Sequence, residues 1–482
     1  MAVKHRRLGT AMALAALLSG CGGGGGSSPP PPPAPPTGAL PPSPPPAPPS
    51  SSAGCSLKDR QIWAGNQLYE WYLFPETLPP NPVPVQNSVE GYIDALTATA
   101  RAQGRDRYFT YLTSIAEENA FYNSGSSAGF GFRLSISSGR VFVAEAFEGT
   151  PALNAGIDRG TEILAIGTNA GNLATVASII AAQGNGGVTA ALGPSDPGVT
   201  RVLQIKDASG TRNVTISKAD FELTPVSSRY GARIIDDNGR RVGYVNLRTF
   251  ISTADPALRQ VFAQFRANGI SEIVVDLRYN GGGLVSIANL MGDLLGGNRS
   301  TSEAFSFTRF RPEKSQNDSA RYFMPQPQSV ASTRLAFIGT GGTASASELV
   351  INSFVPYLGT NLALVGTNTY GKPVGQIALD RPQCDDRLRV VAFGTVNAAG
   401  RGDYFSGLAS SVAASCRAVD DLSRPLGDPQ EDSIRQALDF LAGRSCTPIT
   451  GSAGQQSIAP RRQELLSPER PSTIQREVPG AF

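Results

Sequence analysis

Three times in its second half the chain runs a short apolar strand into a glycine-bearing turn. Residues 271–277 lead into Gly281-Gly282-Gly283, residues 334–338 into Gly339-Thr340-Gly341-Gly342, and residues 362–365 into the loop of Gly371 and Lys372. Short apolar runs of this kind, alternating with helical spacing, predict buried strands in an α/β core. Groups that do chemistry collect where such strands end. Residues 225–446 are expected to form this core. Within it, residues 241–247 predict a strand. Asp255 with Pro256 predicts the start of a helix striped by Leu258, Val261, Phe262 and Phe265 and ended by Gly269.

The rest of the chain divides by composition. Lys4, Arg6 and Arg7 precede an apolar run at 11–18 that closes on Leu18-Ser19-Gly20-Cys21. Such a run covers about 12 Å, short of the roughly 30 Å hydrocarbon core, so residues 1–20 read as a signal peptide rather than a span. Cys21 sits where a lipobox is acylated, and Gly22 after it favours the outer membrane. An ordinary signal peptide with an incidental Cys is the alternative. Residues 21–54 are rich in Gly and then Pro. They predict a polyproline tether reaching roughly 65 Å, which would hold a body off a membrane. Residues 55–125 predict a small helical region. Trp63, Leu68, Trp71 and Tyr72 share one face, as do Val89, Tyr92, Ile93 and Leu96, and both stripes read as core. Residues 447–482 are polar, Pro-dotted and aperiodic, and are expected to be a disordered tail.

Charge and cysteine usage exclude some functions. With Lys4, Arg6 and Arg7 set aside, the basic and acidic residues balance, so no nucleic-acid face is implied. The four cysteines after Cys21 predict two disulfides in an exported protein. Of the three pairings, Cys384–Cys416 and Cys55–Cys446 are favoured, the second joining the ends of the folded body. The only histidine is His5, inside the signal segment. A mature chain without imidazole has no Ser-His-Asp triad and no His-ligated zinc site. No metal and no cofactor is expected.

Ser345 and Lys372 remain as candidates for nucleophilic chemistry. Ser345-Ala346-Ser347-Glu348 reads as a capping box, and equally as a nucleophile at a helix start, where free N–H groups favour negative charge. There the Ala346 N–H would face a developing oxyanion, with Gly282 as second donor and Gly281 and Gly283 beside it. Lys372 needs its pKa lowered by roughly three units from about 10.4, which burial can supply, with Gln376 orienting the amine. The same stretch matches Gly-x4-Gly-Lys, but Pro373 stands where a P-loop needs Ser or Thr.

Residues 126–224 bring together Gly129-Phe130-Gly131-Phe132, Gly149-Thr150-Pro151-Ala152, and Gly160-Thr161-Glu162-Ile163-Leu164. This order resembles a bacterial PDZ domain. The resemblance implies that the Gly-Phe-Gly-Phe turn cradles a peptide carboxylate, while a strand and helix hold the preceding residues.

The segment 106–113, Asp276 to Gly283, Thr343 to Glu348, and Gly371-Lys372 with Gln376 together resemble the carboxyl-terminal processing, or tail-specific, serine proteases. That resemblance implies Ser345 as nucleophile, Lys372 as general base and Gln376 as its orienter, in a crotonase-type layered β/α core. It further implies protein substrates recognised by their C-terminal ends. The chain departs from the family's common approach to the lysine at 367–370, which bears on substrate choice. The expected protein is a multidomain α+β and α/β endopeptidase, lipid-anchored in a bacterial envelope and facing the periplasm. A non-catalytic PDZ lipoprotein that binds protein tails is the alternative.

Overall fold

A mostly parallel sheet of six strands forms the centre of the second half. Its order is Ala232–Asp237, Arg240–Asn246, Glu272–Asp276, Arg334–Gly339, Leu362–Gly366 and Ala414–Arg417. Only the first pair is antiparallel. The computed structural model describes residues 54–450 and 463–482. The expected signal peptide, Cys21 and the tether up to residue 53 lie outside them.

Both faces of this sheet are covered, which is why its strands read as unbroken apolar runs. Helices Ala254–Ala267, Val285–Leu295 and Ala346–Leu358 bury Leu258, Phe262, Met291, Ile351 and Phe354 on one face. Helix Asp432–Leu441 closes the other with Ile434 and Leu438. Full burial of each such side chain contributes roughly 1.5–3 kcal/mol. Pro356 lies inside the Ala346–Leu358 helix and offers no N–H to the carbonyl of Asn352. That carbonyl accepts instead from Asn397 Nδ2 at 3.1 Å. The Ala254–Ala267 helix begins two residues earlier than expected. Thr253 is its N-cap, and Asp255 pairs with Arg259 at 2.7 Å rather than capping.

A second sheet joins Tyr111–Ser114, Asp386–Val396, Ala304–Phe310 and Ser319–Tyr322, with Val374–Arg381 also paired to Asp386–Val396. The N-terminal helices Leu57–Trp71 and Val89–Leu96 pack on it, burying Leu68, Tyr72 and Ile93 against Leu388 and Val390. Trp63 and Trp71 sit half-buried at the edge of this core. A third sheet runs Gln463–Leu465, Phe132–Ser137, Arg140–Ala146, Glu162–Gly167, Thr200–Asp207 and Gly210–Ser217, with helix Val176–Leu192 against it.

Two expectations are corrected. The disulfides are Cys55–Cys384 and Cys416–Cys446, not Cys384–Cys416 and Cys55–Cys446. The helix after Cys55 packs on the strand that follows Cys384, bringing their Cα atoms to 5.6 Å. The chain leaving Asp432–Leu441 returns beside Ala414–Arg417, where the Arg417 N–H meets the Thr447 carbonyl at 2.7 Å. Nor are residues 463–482 a disordered tail. They form the strand Gln463–Leu465 and the helix Thr473–Glu477, because unpaired backbone at the edge of Phe132–Ser137 accepts another strand.

Candidate active site

The loops that follow three adjacent parallel strands converge at one end of the central sheet. Asp276 is paired with Ile338, and Gly339 with Gly366, so these strands end nearly level. Asn280 stitches the first loop to the second. Its carbonyl accepts the Ala344 N–H and the Ser347 hydroxyl, each at 3.0 Å. The Tyr370 N–H then binds the Thr343 carbonyl at 2.9 Å, joining the second loop to the third.

Ser345 stands where the Arg334–Gly339 strand turns into the Ala346–Leu358 helix. Its φ of 56° and ψ of −114° are unusual for a residue with a side chain, a conformation costing about 1–3 kcal/mol. The surroundings hold it there. The Ser345 N–H donates to Glu348 Oε2 at 3.0 Å. At Gly282, φ is 127°, and a Cβ there would lie 2.8 Å from the Ser345 Cβ. Only glycine permits that approach.

Glu348 does more than complete a cap. Its Oε2 also accepts the Lys372 N–H at 2.7 Å, and its Oε1 the Gly371 N–H at 2.7 Å. One buried carboxylate therefore fixes the backbone of both Ser345 and Lys372. Burial pushes the Glu348 carboxyl above its ordinary value, against the pull of Thr369 and the three backbone donors.

Lys372 donates from Nζ to Gln376 Oε1 at 2.9 Å. Gln376 in turn gives Nε2 to the Phe109 carbonyl at 2.5 Å, which sets its amide orientation. The Phe109 ring centroid lies 5.2 Å from Nζ. Arg107 clamps the lysine loop through the carbonyls of Tyr370, at 2.8 Å, and Gly371, at 2.5 Å. Part of the lysine surface opens on the cleft, but protein atoms surround the amine. Burial lowers its pKa from the ordinary lysine value, with the Glu477 carboxylate opposing. The cleft has a volume of about 930 Å³ and is lined in part by Gly281, Ala344, Tyr370 and Lys372.

The loop from Arg278 to Gly283 is anchored by buried charge. Arg278 pairs with Asp276, Asp420 and Glu431, and Arg159 pairs with Asp420. Burial works against the Asp420 carboxylate, yet Arg159 and Arg278 hold it well below the usual range.

The expectation for Gly282 as an oxyanion donor is not met in this arrangement. Its N–H donates to Asn280 Oδ1 at 2.9 Å. The neighbouring Gly281 N–H is the one that reaches a peptide carbonyl, that of Glu477, at 3.0 Å. Ala346 is the first residue of its helix, so its N–H has no intrahelical partner. Sequence reasoning also missed the structural roles of Arg107, Phe109 and Glu348. The Ser-x-x-Glu spacing was the only signal for Glu348, and it pointed to the cap alone.

Gly129-Phe130-Gly131-Phe132 leads into the Phe132–Ser137 strand of the third sheet. The Phe130 and Phe132 rings are fully buried core. The backbone of the turn is what meets a partner. The N–H groups of Gly131 and Phe132 reach the Phe482 carbonyl oxygen at 2.9 and 3.4 Å.

Residues 241–404 match the family described as Peptidase family S41, a window that contains Ser345, Lys372 and Gln376. That segment is therefore similar to the core of Peptidase family S41. The chain is 28% identical over 267 residues to a carboxyl-terminal-processing protease of Picosynechococcus sp., covering 54% of this chain and 58% of that one. It is 27% identical over 274 residues to a chloroplastic C-terminal processing peptidase of Tetradesmus obliquus, covering 53% and 54%. It thus spans little more than half the length of these two relatives. A protein from Bacteroides fragilis described as an S41 protease shares the fold, with a TM-score of 0.62 at 24% identity over 79% of this chain and 97% of that one. Over these shared lengths the chain is similar to C-terminal processing proteases.

Proposed function

We propose that this chain is a serine endopeptidase working through Ser345 and Lys372. The observation that carries the reading is the Glu348 carboxylate, which binds the backbone N–H of both residues and so fixes them relative to each other. A neutral Lys372 amine gives one hydrogen to Gln376 Oε1 and keeps its lone pair for the Ser345 proton. As that proton moves to Nζ, Oγ adds to the scissile carbonyl. The oxyanion forms where the N–H groups of Gly281 and Ala346 can meet it. Nζ then returns the proton to the leaving amine, and an ester on Ser345 remains. Water, deprotonated by the same amine, hydrolyses that ester and regenerates the pair.

Residues 126–224 act in this reading as a PDZ-type module that selects substrates by their C-terminal ends. The backbone donors of Gly131 and Phe132 support it. Residues 1–21 support export and lipid anchoring in a bacterial envelope, with the substrates being envelope proteins. Among the described residues, no helix is long and apolar enough to cross a membrane.

The test is covalent trapping. A peptide carrying an electrophilic carbonyl should add its mass to the tryptic peptide that contains Ser345, and Lys372→Ala should prevent the addition. Labelling at another residue, or equal labelling of the variant, refutes the assignment.

A further inference from the structure

The edge of Phe132–Ser137 is already occupied by residues of the same chain. Gln463, Glu464 and Leu465 pair with Ser137, Ile136 and Ser135. The Leu466 N–H adds one more bond, to the Leu134 carbonyl at 3.0 Å, and residues 467–479 then leave the register. The pairing resumes where the Leu134 N–H meets the Gly480 carbonyl at 2.8 Å, Ala481 bridges Arg133, and the Phe482 N–H donates to the Phe132 carbonyl at 3.0 Å. The Phe482 ring is buried in the same core as Val188 and Leu192 of the Val176–Leu192 helix. At Gly129, a Cβ would lie 2.8 Å from the Phe482 carbonyl carbon, so the turn fits this occupant only with glycine there.

The part that leaves the register crosses the catalytic cleft. The Glu477 carbonyl takes the Gly281 N–H, and Arg476 stacks on Tyr111 at 3.7 Å. Tyr122 binds Glu477 Oε1 at 2.8 Å. A single Arg133 nitrogen, Nη1, donates both to the Pro479 carbonyl at 2.9 Å and to the Tyr279 carbonyl at 2.7 Å. One segment thus holds the groove and also the backbone donor beside Ser345.

We propose that residues 463–482 are a tethered occupant of the peptide groove and the catalytic cleft, and that the groove takes peptides with two small residues followed by an aromatic one. Gly480, Ala481 and Phe482 display that chemistry. Strand addition supplies affinity through backbone bonds, and the pocket that receives the final ring supplies selectivity. A tethered ligand sits at high effective concentration, so a substrate end must displace it before the cleft opens. The cleavage part of this inference rests on the peptidase reading; the binding part does not.

The test uses the full chain, a fluorescent peptide copying residues 476–482 with a free carboxylate, and polarisation as the readout. Phe482→Asp should bind the peptide at least tenfold more tightly than wild type. A peptide with Asp in place of its final aromatic residue should bind at least tenfold more weakly. Equal affinity of both proteins, or indifference to the last residue, overturns the proposal. Phe482→Asp should also cut an unfolded protein ending in Gly-Ala-Phe several-fold faster than wild type. Peptide binding as expected, with no cleavage by either protein, would defeat the peptidase reading and leave the tethered occupant standing. If Phe482→Asp does not fold, hydrogen exchange on wild type decides. Saturating peptide should deprotect residues 463–482 while 131–134 stay protected, and unchanged protection of 463–482 overturns the proposal.

Discussion

The Lys372 amide donates to Glu348 Oε2 at 2.7 Å, deep under the loop that carries the lysine. Because the same oxygen holds the Ser345 amide, Glu348 positions the backbone of both residues proposed to react. Glu348→Gln keeps the shape but turns an N–H group toward backbone donors. It should lower kcat by about 100-fold, with KM changed much less. It should also destabilise the fold by roughly 2–3 kcal/mol, since buried donors lose their acceptor. Paired kinetics and thermal melting check this. Near-normal kcat in a folded variant would contradict it.

The rate should follow deprotonation of Lys372. Burial lowers that pKa from the ordinary value of 10.5, so kcat/KM should rise with pH on a limb centred below it. The same shift costs stability. The folded protein is penalised at pH below the lowered pKa, where the unfolded lysine is freely charged, and the penalty fades as pH climbs toward 10.5. Lys372→Met should therefore be inactive, melt at a higher temperature than wild type at neutral pH, and lose that advantage in alkali. A melting difference that grows with pH would contradict this.

Acid should weaken the loop that carries Gly281. Arg159 and Arg278 hold Asp420 below its ordinary value of 3.8, so its contribution is complete above that value and falls away as pH drops further. Denaturant titrations of wild type and Asp420→Asn at pH 3 and pH 7 measure it. The variant should be less stable at pH 7 by about 3–5 kcal/mol, the usual cost of leaving buried charge unpaired, and the gap should narrow at pH 3. A gap independent of pH contradicts the prediction.

Peptide mapping without reductant should recover Cys55 joined to Cys384 and Cys416 joined to Cys446. Removing Cys55–Cys384 as a double alanine variant should cost about 2–4 kcal/mol, because its closed loop is much the longer of the two. Recovery of Cys384 joined to Cys416 would contradict the structure.

The sequence carried the central sheet because short apolar strands buried on both faces leave an unmistakable pattern. Ser345 and Lys372 fell in the loops that follow such strands for the same reason, whereas Gln376 lies inside the strand Val374–Arg381 of the second sheet. Other features depended on partners far away in the chain. Cys55 meets Cys384 only because the first helix packs on a strand more than three hundred residues later. Gly281 and Gly282 look alike in sequence, and the Asn280 side chain takes the Gly282 N–H, leaving that of Gly281 to meet the Glu477 carbonyl in the cleft. The segment 463–482 lacks apolar periodicity because backbone pairing and one buried ring hold it, and neither leaves a repeating signature.

The most direct test of the account is mass spectrometry of an unfolded protein ending in Gly-Ala-Phe after incubation with wild type, Ser345→Ala and Lys372→Ala, each verified as folded by circular dichroism. Wild type should yield defined internal cleavage products, and both variants should leave the protein intact. Cleavage at the wild-type rate by either folded variant would contradict the assignment of Ser345 and Lys372.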